Sequence, residues 1–103
     1  MRKLLLGITR PQSDAMETEY NAWYDNVHLP SVAALPGFKS GKRYKASAAQ
    51  LFDGHSSNVY LAIYELEDEA LAIKSLQNNP DIAAPSPTVH PDMTVIVFEE
   101  IAD

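Results

Sequence analysis

The chain contains no cysteine, which rules out disulfides and thiolate-bound metals and makes a reducing, cytoplasmic setting the expectation. Basic residues are scarce: eight Lys and Arg stand against fourteen Asp and Glu, for a net charge of −6 and a pI near 4.9. A nucleic-acid partner calls for a large basic footprint and a high domain pI, so that class is set aside. Long apolar runs are missing too. The apolar start, Leu4-Leu5-Leu6-Gly7-Ile8, falls far short of the roughly 20 residues a membrane span needs. It runs into Thr9-Arg10-Pro11 without a small-residue cleavage site, so neither a membrane anchor nor a signal peptide is expected. The glycines Gly7, Gly37, Gly41 and Gly54 are all isolated, which leaves no phosphate-cradling or dinucleotide fingerprint. His28, His55 and His90 lie far apart, with none of the i, i+3 or i, i+4 spacing of metal ligands. No metal and no cofactor are expected.

At 103 residues the chain is long enough for one two-layer core and too short for two, so residues 1–103 form a single domain. Lys3–Thr9 reads as a first strand. Asp14 followed by Glu17 has the spacing of a reciprocal capping pair at a helix start. Met16, Tyr20, Trp23 and Val27 then recur at spacings of four, three and four, one face of an α-helix and its expected core edge. Pro30 should end or kink this helix, with Ser31–Leu35 adding a further turn before Pro36-Gly37 stops it. A second strand is expected over Phe38–Ala46 and a third over Val59–Tyr64. Asp68 caps a second helix at Glu69–Gln77, a proline-rich loop follows, and Met93–Ile101 makes a last strand. The order β-α-β-β-α-β predicts an α+β, ferredoxin-like fold, a four-stranded antiparallel sheet with two helices on one face.

That architecture leaves one sheet face uncovered. Tyr60, Ala62 and Tyr64 share one face of the third strand and Val59, Leu61 and Ile63 the other, and the last strand likewise carries apolar groups on both sides. An exposed apolar sheet face calls for a partner, and a homodimer packed sheet to sheet is the economical one. Charge divides unevenly along the chain: residues 1–47 hold seven basic and four acidic side chains, residues 48–103 one and ten. The basic cluster Lys39, Lys42, Arg43 and Lys45 spreads over odd and even positions. It reads better as a solvated strand edge than as a device by which Lys42 or Arg43 steers an anionic ligand.

Trp23-Tyr24-Asp25-Asn26-Val27-His28-Leu29-Pro30, followed by Leu35-Pro36-Gly37-Phe38 and Lys42-Arg43-Tyr44, resembles the dimeric α+β barrel superfamily, and within it the EthD-like family. The resemblance implies two ferredoxin-like subunits that pair their sheets into a barrel, with a pocket in each subunit. It also implies a range of chemistry rather than one reaction, since polyketide cyclases, cofactor-independent monooxygenases, lactone isomerases and haem-degrading enzymes share the superfamily.

Within the quoted segment Asn21, Tyr24 and His28 fall on one helical line. His28 has a side chain that exchanges protons near neutral pH, so it is the candidate general acid or base; the competing reading is a cap on the helix C-terminus. Tyr24 is the candidate donor to a substrate carbonyl, or a helix aromatic packed beneath a loop. Trp23 belongs to the core stripe and can also form a wall of an aromatic-binding pocket. Tyr60 and Tyr64, with only Ala62 between them, either leave room for a flat ligand or form the dimer seam. Tyr44 joins them as a candidate substrate contact. Asn21 is similar to the Asn used by the superfamily's cofactor-free monooxygenases, and reads otherwise as a surface helix residue. The expected function is cofactor-free acid–base chemistry (cyclisation, isomerisation or dehydration) on a hydrophobic aromatic or polyketide-like carbonyl compound. A monooxygenase using Asn21, Trp23 and His28, and a non-catalytic small-molecule-binding or stress-associated dimer, are the alternatives.

Overall fold

The first apolar segment forms strand β1, Lys3–Thr9, and it becomes the inner strand on which the sheet is assembled. The computed structural model describes residues 1–54 and 58–102; His55 lies outside them. A helical run follows in four pieces: a 3-10 turn at Asp14–Met16, helix α1 at Glu17–Trp23, a π-helical turn at Tyr24–His28 and helix α2 at Leu29–Ala33. Strands β2, Phe38–Lys45, and β3, Tyr60–Leu66, come next, then helix α3 at Glu69–Asn78, a short helix α4 at Pro80–Ala83, and strand β4 at Thr94–Glu99. The sheet is antiparallel throughout in the order β2-β3-β1-β4. This is the ferredoxin-like βαββαβ arrangement. Among the described residues no helix is long and apolar enough to cross a membrane.

Side-chain alternation decides which sheet face the helices cover. Leu5, Gly7 and Thr9 of β1 pair with Tyr64, Ala62 and Tyr60 of β3, and all six are buried beneath the helices. Tyr60 and Tyr64 therefore belong to the inner layer and not to the uncovered one. The core joins them to Tyr20, Tyr24 and Val32 from the first helical run, Phe38 from β2 and Ala72 from α3. The opposite face carries Leu4, Leu6, Ile8, Leu61, Ile63, Ile96 and Phe98 in register, and no helix packs on it. Ile8, Ile96 and Phe98 keep 42%, 46% and 46% of their surface exposed.

Three local expectations give way to tertiary demands. Glu17 does not reach back to close a capping pair; its carboxylate accepts a hydrogen bond from the Tyr60 hydroxyl at 2.5 Å and faces Lys45 at 3.6 Å. Val27, expected in the core stripe, is 53% exposed, and Met16 is 38% exposed. The inserted π-helical turn is the cause for Val27, because it rotates the helix by part of a turn and swings that side chain outward. Pro30 does not end the helical run. It sits in the first turn of α2, where a missing N–H costs little.

The Pro36-Gly37 turn docks beneath α3. Ser75 donates to the Pro36 carbonyl at 2.8 Å, and the Gly37 carbonyl accepts from the Glu67 and Asp68 amides. Gly37 has φ +95°, and a Cβ there would stand 2.4 Å from the Ala72 backbone nitrogen. Gly37→Ala is therefore expected to cost more than about 2 kcal/mol and to lower the melting temperature by about 8 °C or more in a calorimetric scan. An unchanged melting temperature would show that the turn can relax away from α3.

Candidate active site

An α-helix turns once every 3.6 residues, so side chains four apart drift by about 40° per step. Tyr20, Tyr24, His28 and Val32 are spaced by four. A straight α-helix would have wound the last of them off the sheet. The wider π-helical turn at Tyr24–His28 takes up the drift and keeps all four directed inward. Tyr20, Tyr24 and Val32 are buried and His28 is half-buried. Such turns recur at functional sites because they hold a side chain where regular winding would not.

Between this row and the sheet lies a small cavity of about 60 Å³, bordered by Trp23, Tyr24 and His28 from the helix, Gly7 and Thr9 from β1, and Val89 from the loop before β4. Gly7 makes the space: a Cβ there would meet the Tyr24 hydroxyl at 3.6 Å. The loop is fastened over the site by main-chain bonds from Gln12 to Thr88 at 2.7 Å and from His90 to Arg10 at 2.9 Å. His90 thus helps attach this loop, and among the described residues no cluster of ligands could hold a metal ion.

The aromatic groups at the cavity orient one another. His28 stacks on Trp23 with ring centres 4.6 Å apart, and meets Tyr24 edge to face at 5.0 Å. Burial pulls the His28 pKa below its ordinary value, opposed by a backbone hydrogen bond to Ile82. The imidazole is then neutral at neutral pH. The helix does not end at His28, so its partner is the main chain of α4 and not its own helix's last carbonyls. Burial drives Tyr24 the other way in effect, up to about 12, with a further push from Tyr20 and partial relief from Arg43 and the neighbouring Thr9 and Tyr64 hydroxyls. A phenol so placed keeps its proton.

Behind Tyr24 stands a residue that sequence reasoning assigned to a solvated edge. The Arg43 side chain is only 10% exposed. Its guanidinium lies 4.3, 5.0 and 5.4 Å from the ring centres of Tyr24, Tyr60 and Tyr20, and donates to Asp25 at 2.6 Å and Asn21 at 2.9 Å. Lys39, Lys42 and Lys45 do remain exposed. The space that Ala62 opens between Tyr60 and Tyr64 is filled by the chain itself, because Arg43 is the cross-strand partner of Ala62. That register was the available signal: once β2 pairs with β3, Gly41, Arg43 and Lys45 face the same way as Tyr64, Ala62 and Tyr60.

The candidate residues accordingly separate into two groups. His28, Tyr24 and Trp23 converge on the cavity. Asn21 and Tyr60 belong to the Arg43 cluster, where Asn21 donates to the Tyr60 hydroxyl at 3.1 Å, and they border a shallow surface depression with Tyr44. Tyr44 itself alternates to the uncovered sheet face beside Leu61. Tyr64 packs edge to face on Phe38; its buried hydroxyl makes no well-formed hydrogen bond, although the Tyr24 hydroxyl is close enough to act on it. Thr9 and Gly7, which sequence reasoning passed over as strand residues, border the cavity. The Thr9 hydroxyl is hydrogen-bonded to Tyr20.

Solved structures share this architecture end to end. An ethyl tert-butyl ether D (EthD) family protein from Bacillus halodurans superposes with a TM-score of 0.69 at 16% identity, over 98% of this chain and 100% of its own. A dimeric ferredoxin-like protein from Thermobifida fusca matches with a TM-score of 0.62 at 17% identity, over 94% and 90%. A haem-degrading protein from Mycobacterium tuberculosis, seen with two haems in its active site, matches with a TM-score of 0.63 at 16% identity, over 98% and 97%. The chain shares the ferredoxin-like fold of these proteins. Neither a family profile nor a curated protein sequence matches it. In this fold the cavity lies on the helix-covered side of the sheet, at the β1–β4 half, while the Arg43 cluster occupies the β2–β3 half.

The depressed His28 pKa has a consequence for stability. Between the folded and unfolded pKa values the unfolded chain binds more protons, so this contribution is complete above about pH 6.5 and is lost as pH falls below it. His28→Gln removes the titration. Thermal melts from pH 8 to 5 should show the parent losing more stability below pH 6.5 than the variant; parallel curves would place the imidazole in water.

Proposed function

We propose that the protein is a small homodimeric enzyme that performs cofactor-free proton transfer next to a carbonyl group. The observation that carries this reading is the pairing, at one cavity, of an imidazole held neutral by burial with a phenol held protonated by burial. Such a pair divides the work of enolisation. His28 takes a proton from the carbon beside the carbonyl, the C–H electron pair becomes the enolate C=C bond as the carbonyl π pair moves onto oxygen, and the developing negative charge there is met by the Tyr24 O–H. Return of that proton from His28 to a different carbon gives isomerisation, its delivery to a departing β-hydroxyl gives dehydration with loss of water, and attack of the enolate carbon on a second carbonyl, whose oxygen takes the proton, gives cyclisation. Ligand pockets are ordinarily about 300–1,000 Å³, so a cavity of about 60 Å³ favours a small carbonyl compound, or the carbonyl end of a larger hydrophobic one with its remainder outside.

The monooxygenase alternative is less well supported. It needs Asn21 beside Trp23 and His28, and Asn21 is instead bonded to Arg43 and Tyr60. A binding module without turnover would have the same walls. Single replacements separate these readings: with folding intact, His28→Ala and Tyr24→Phe should each lower turnover on a panel of ketones and keto acids by about 10²-fold or more. Turnover indifferent to both, or a product heavier by one oxygen, would refute the proton-transfer reading.

Support for the dimer comes from the uncovered apolar sheet face together with the dimeric Thermobifida fusca neighbour. Pairing through this face would bury Ile8, Ile96 and Phe98 in both copies. Sedimentation at micromolar concentration should give twice the mass of the 11.4 kDa chain, and Phe98→Glu should shift it to the monomer. A monomeric parent would contradict the assignment.

A further inference from the structure

The cavity and the Arg43 cluster share one side chain. Tyr24 borders the cavity, Arg43 does not, and the guanidinium lies 4.3 Å from the Tyr24 ring centre. Arg43 thus reaches the cavity through that ring. We propose that Arg43 is a positioning residue for Tyr24: its guanidinium polarises the phenol toward donation into the cavity, and Asp25 sets how much of the positive charge the ring feels. The catalytic consequence rests on the proton-transfer reading above, whereas the coupling itself exists without substrate.

Four features argue for it. The guanidinium is almost wholly withdrawn from water, so solvent and salt screen it weakly. Its Nε is buried with no hydrogen-bond partner, and three tyrosine ring centres lie within 5.4 Å of the guanidinium carbon, so part of its charge is met by π faces. Groups touching Tyr24 come from every neighbouring element: Tyr20, Trp23 and His28 on the helical run, Thr9 on β1, Arg43 on β2 and Tyr64 on β3. Among these described residues only Arg43 carries a permanent charge. Burial is the dominant influence on Tyr24 and Arg43 works against it. Finally, the Asp25 carboxylate that holds Nη1 at 2.6 Å is itself 58% exposed. Solvent screens that exposed carboxylate more than it screens the buried guanidinium, so Asp25 offsets the positive charge only in part.

The proposal makes two predictions of opposite sign. With 3,5-difluorotyrosine incorporated at position 24 of the full chain, fluorine NMR reads the ionisation of that phenol directly. Arg43→Met should raise its pKa by about one unit or more, and Arg43→Lys should restore part of the difference. Asp25→Asn, which keeps an acceptor for Nη1 but removes the negative charge, should lower the pKa by several tenths of a unit. If Arg43→Met does not fold, Asp25→Asn and Arg43→Lys carry the test, since a role limited to packing predicts no downward shift in Asp25→Asn. Fluorine titrations of Asp25→Asn that coincide with the parent or move upward would overturn the proposal. Intact coupling alongside turnover indifferent to Tyr24→Phe would sink the proton-transfer reading and leave the coupling standing.

Discussion

A guanidinium withdrawn from water must have its charge met by the protein, and the way Arg43 meets it organises the first half of this molecule. Removing such a cation from solvent costs several kcal/mol. Cation–π contacts of about 0.5–2 kcal/mol each and charge-assisted hydrogen bonds of about 1.5–3 kcal/mol return an amount of the same order. The arrangement adds little to stability, and its value is geometric. Arg43 of β2 is held at once by Asn21 of α1, Asp25 of the π-helical turn and Tyr60 of β3. Those contacts fix how the first helical run lies on the sheet. Tyr24 and His28 face the cavity from that run.

The π-helical turn is the second half of the same constraint. It keeps Tyr20, Tyr24, His28 and Val32 in one inward row, at the expense of turning Val27 out to solvent. Gly7 then leaves the gap that the row encloses, and the loop tied to Arg10 and Gln12 roofs it. One environment acts on two titratable groups in opposite functional senses, since burial makes the imidazole a free base and the phenol a retained acid.

How far this was legible in the sequence varies with the kind of signal. The strand and helix order was readable because alternation in Val59–Tyr64, the Asp68 cap and the proline punctuation are local features. Lys3–Thr9 was bounded correctly, and Asp68 does accept from the Leu71 amide at 3.0 Å. The Asn21–Tyr24–His28 line was visible, but not that it would split, with Asn21 joining Arg43 and the other two the cavity. That division depends on what the sheet presents to the helix, since Arg43 of β2 reaches Asn21 while the cavity opens beside β1, and neither is a local feature. The Asp14–Glu17 cap failed because a long-range partner, the Tyr60 hydroxyl, outbid the local one. Arg43 was mistaken for a surface charge because strand register is a tertiary property: only pairing with Ala62 shows that it points among the tyrosines.

The proposed chemistry needs a neutral base and a protonated donor working on a carbonyl held at the cavity, and solvent-exchange NMR examines it without knowledge of the physiological substrate. In deuterium oxide near neutral pD, the parent protein should speed deuterium incorporation at the α-carbon of a short-chain ketone above the buffer rate, and the acceleration should fade as His28 becomes protonated at lower pD. Incorporation no faster than in buffer, for every ketone small enough to reach the cavity, would contradict it.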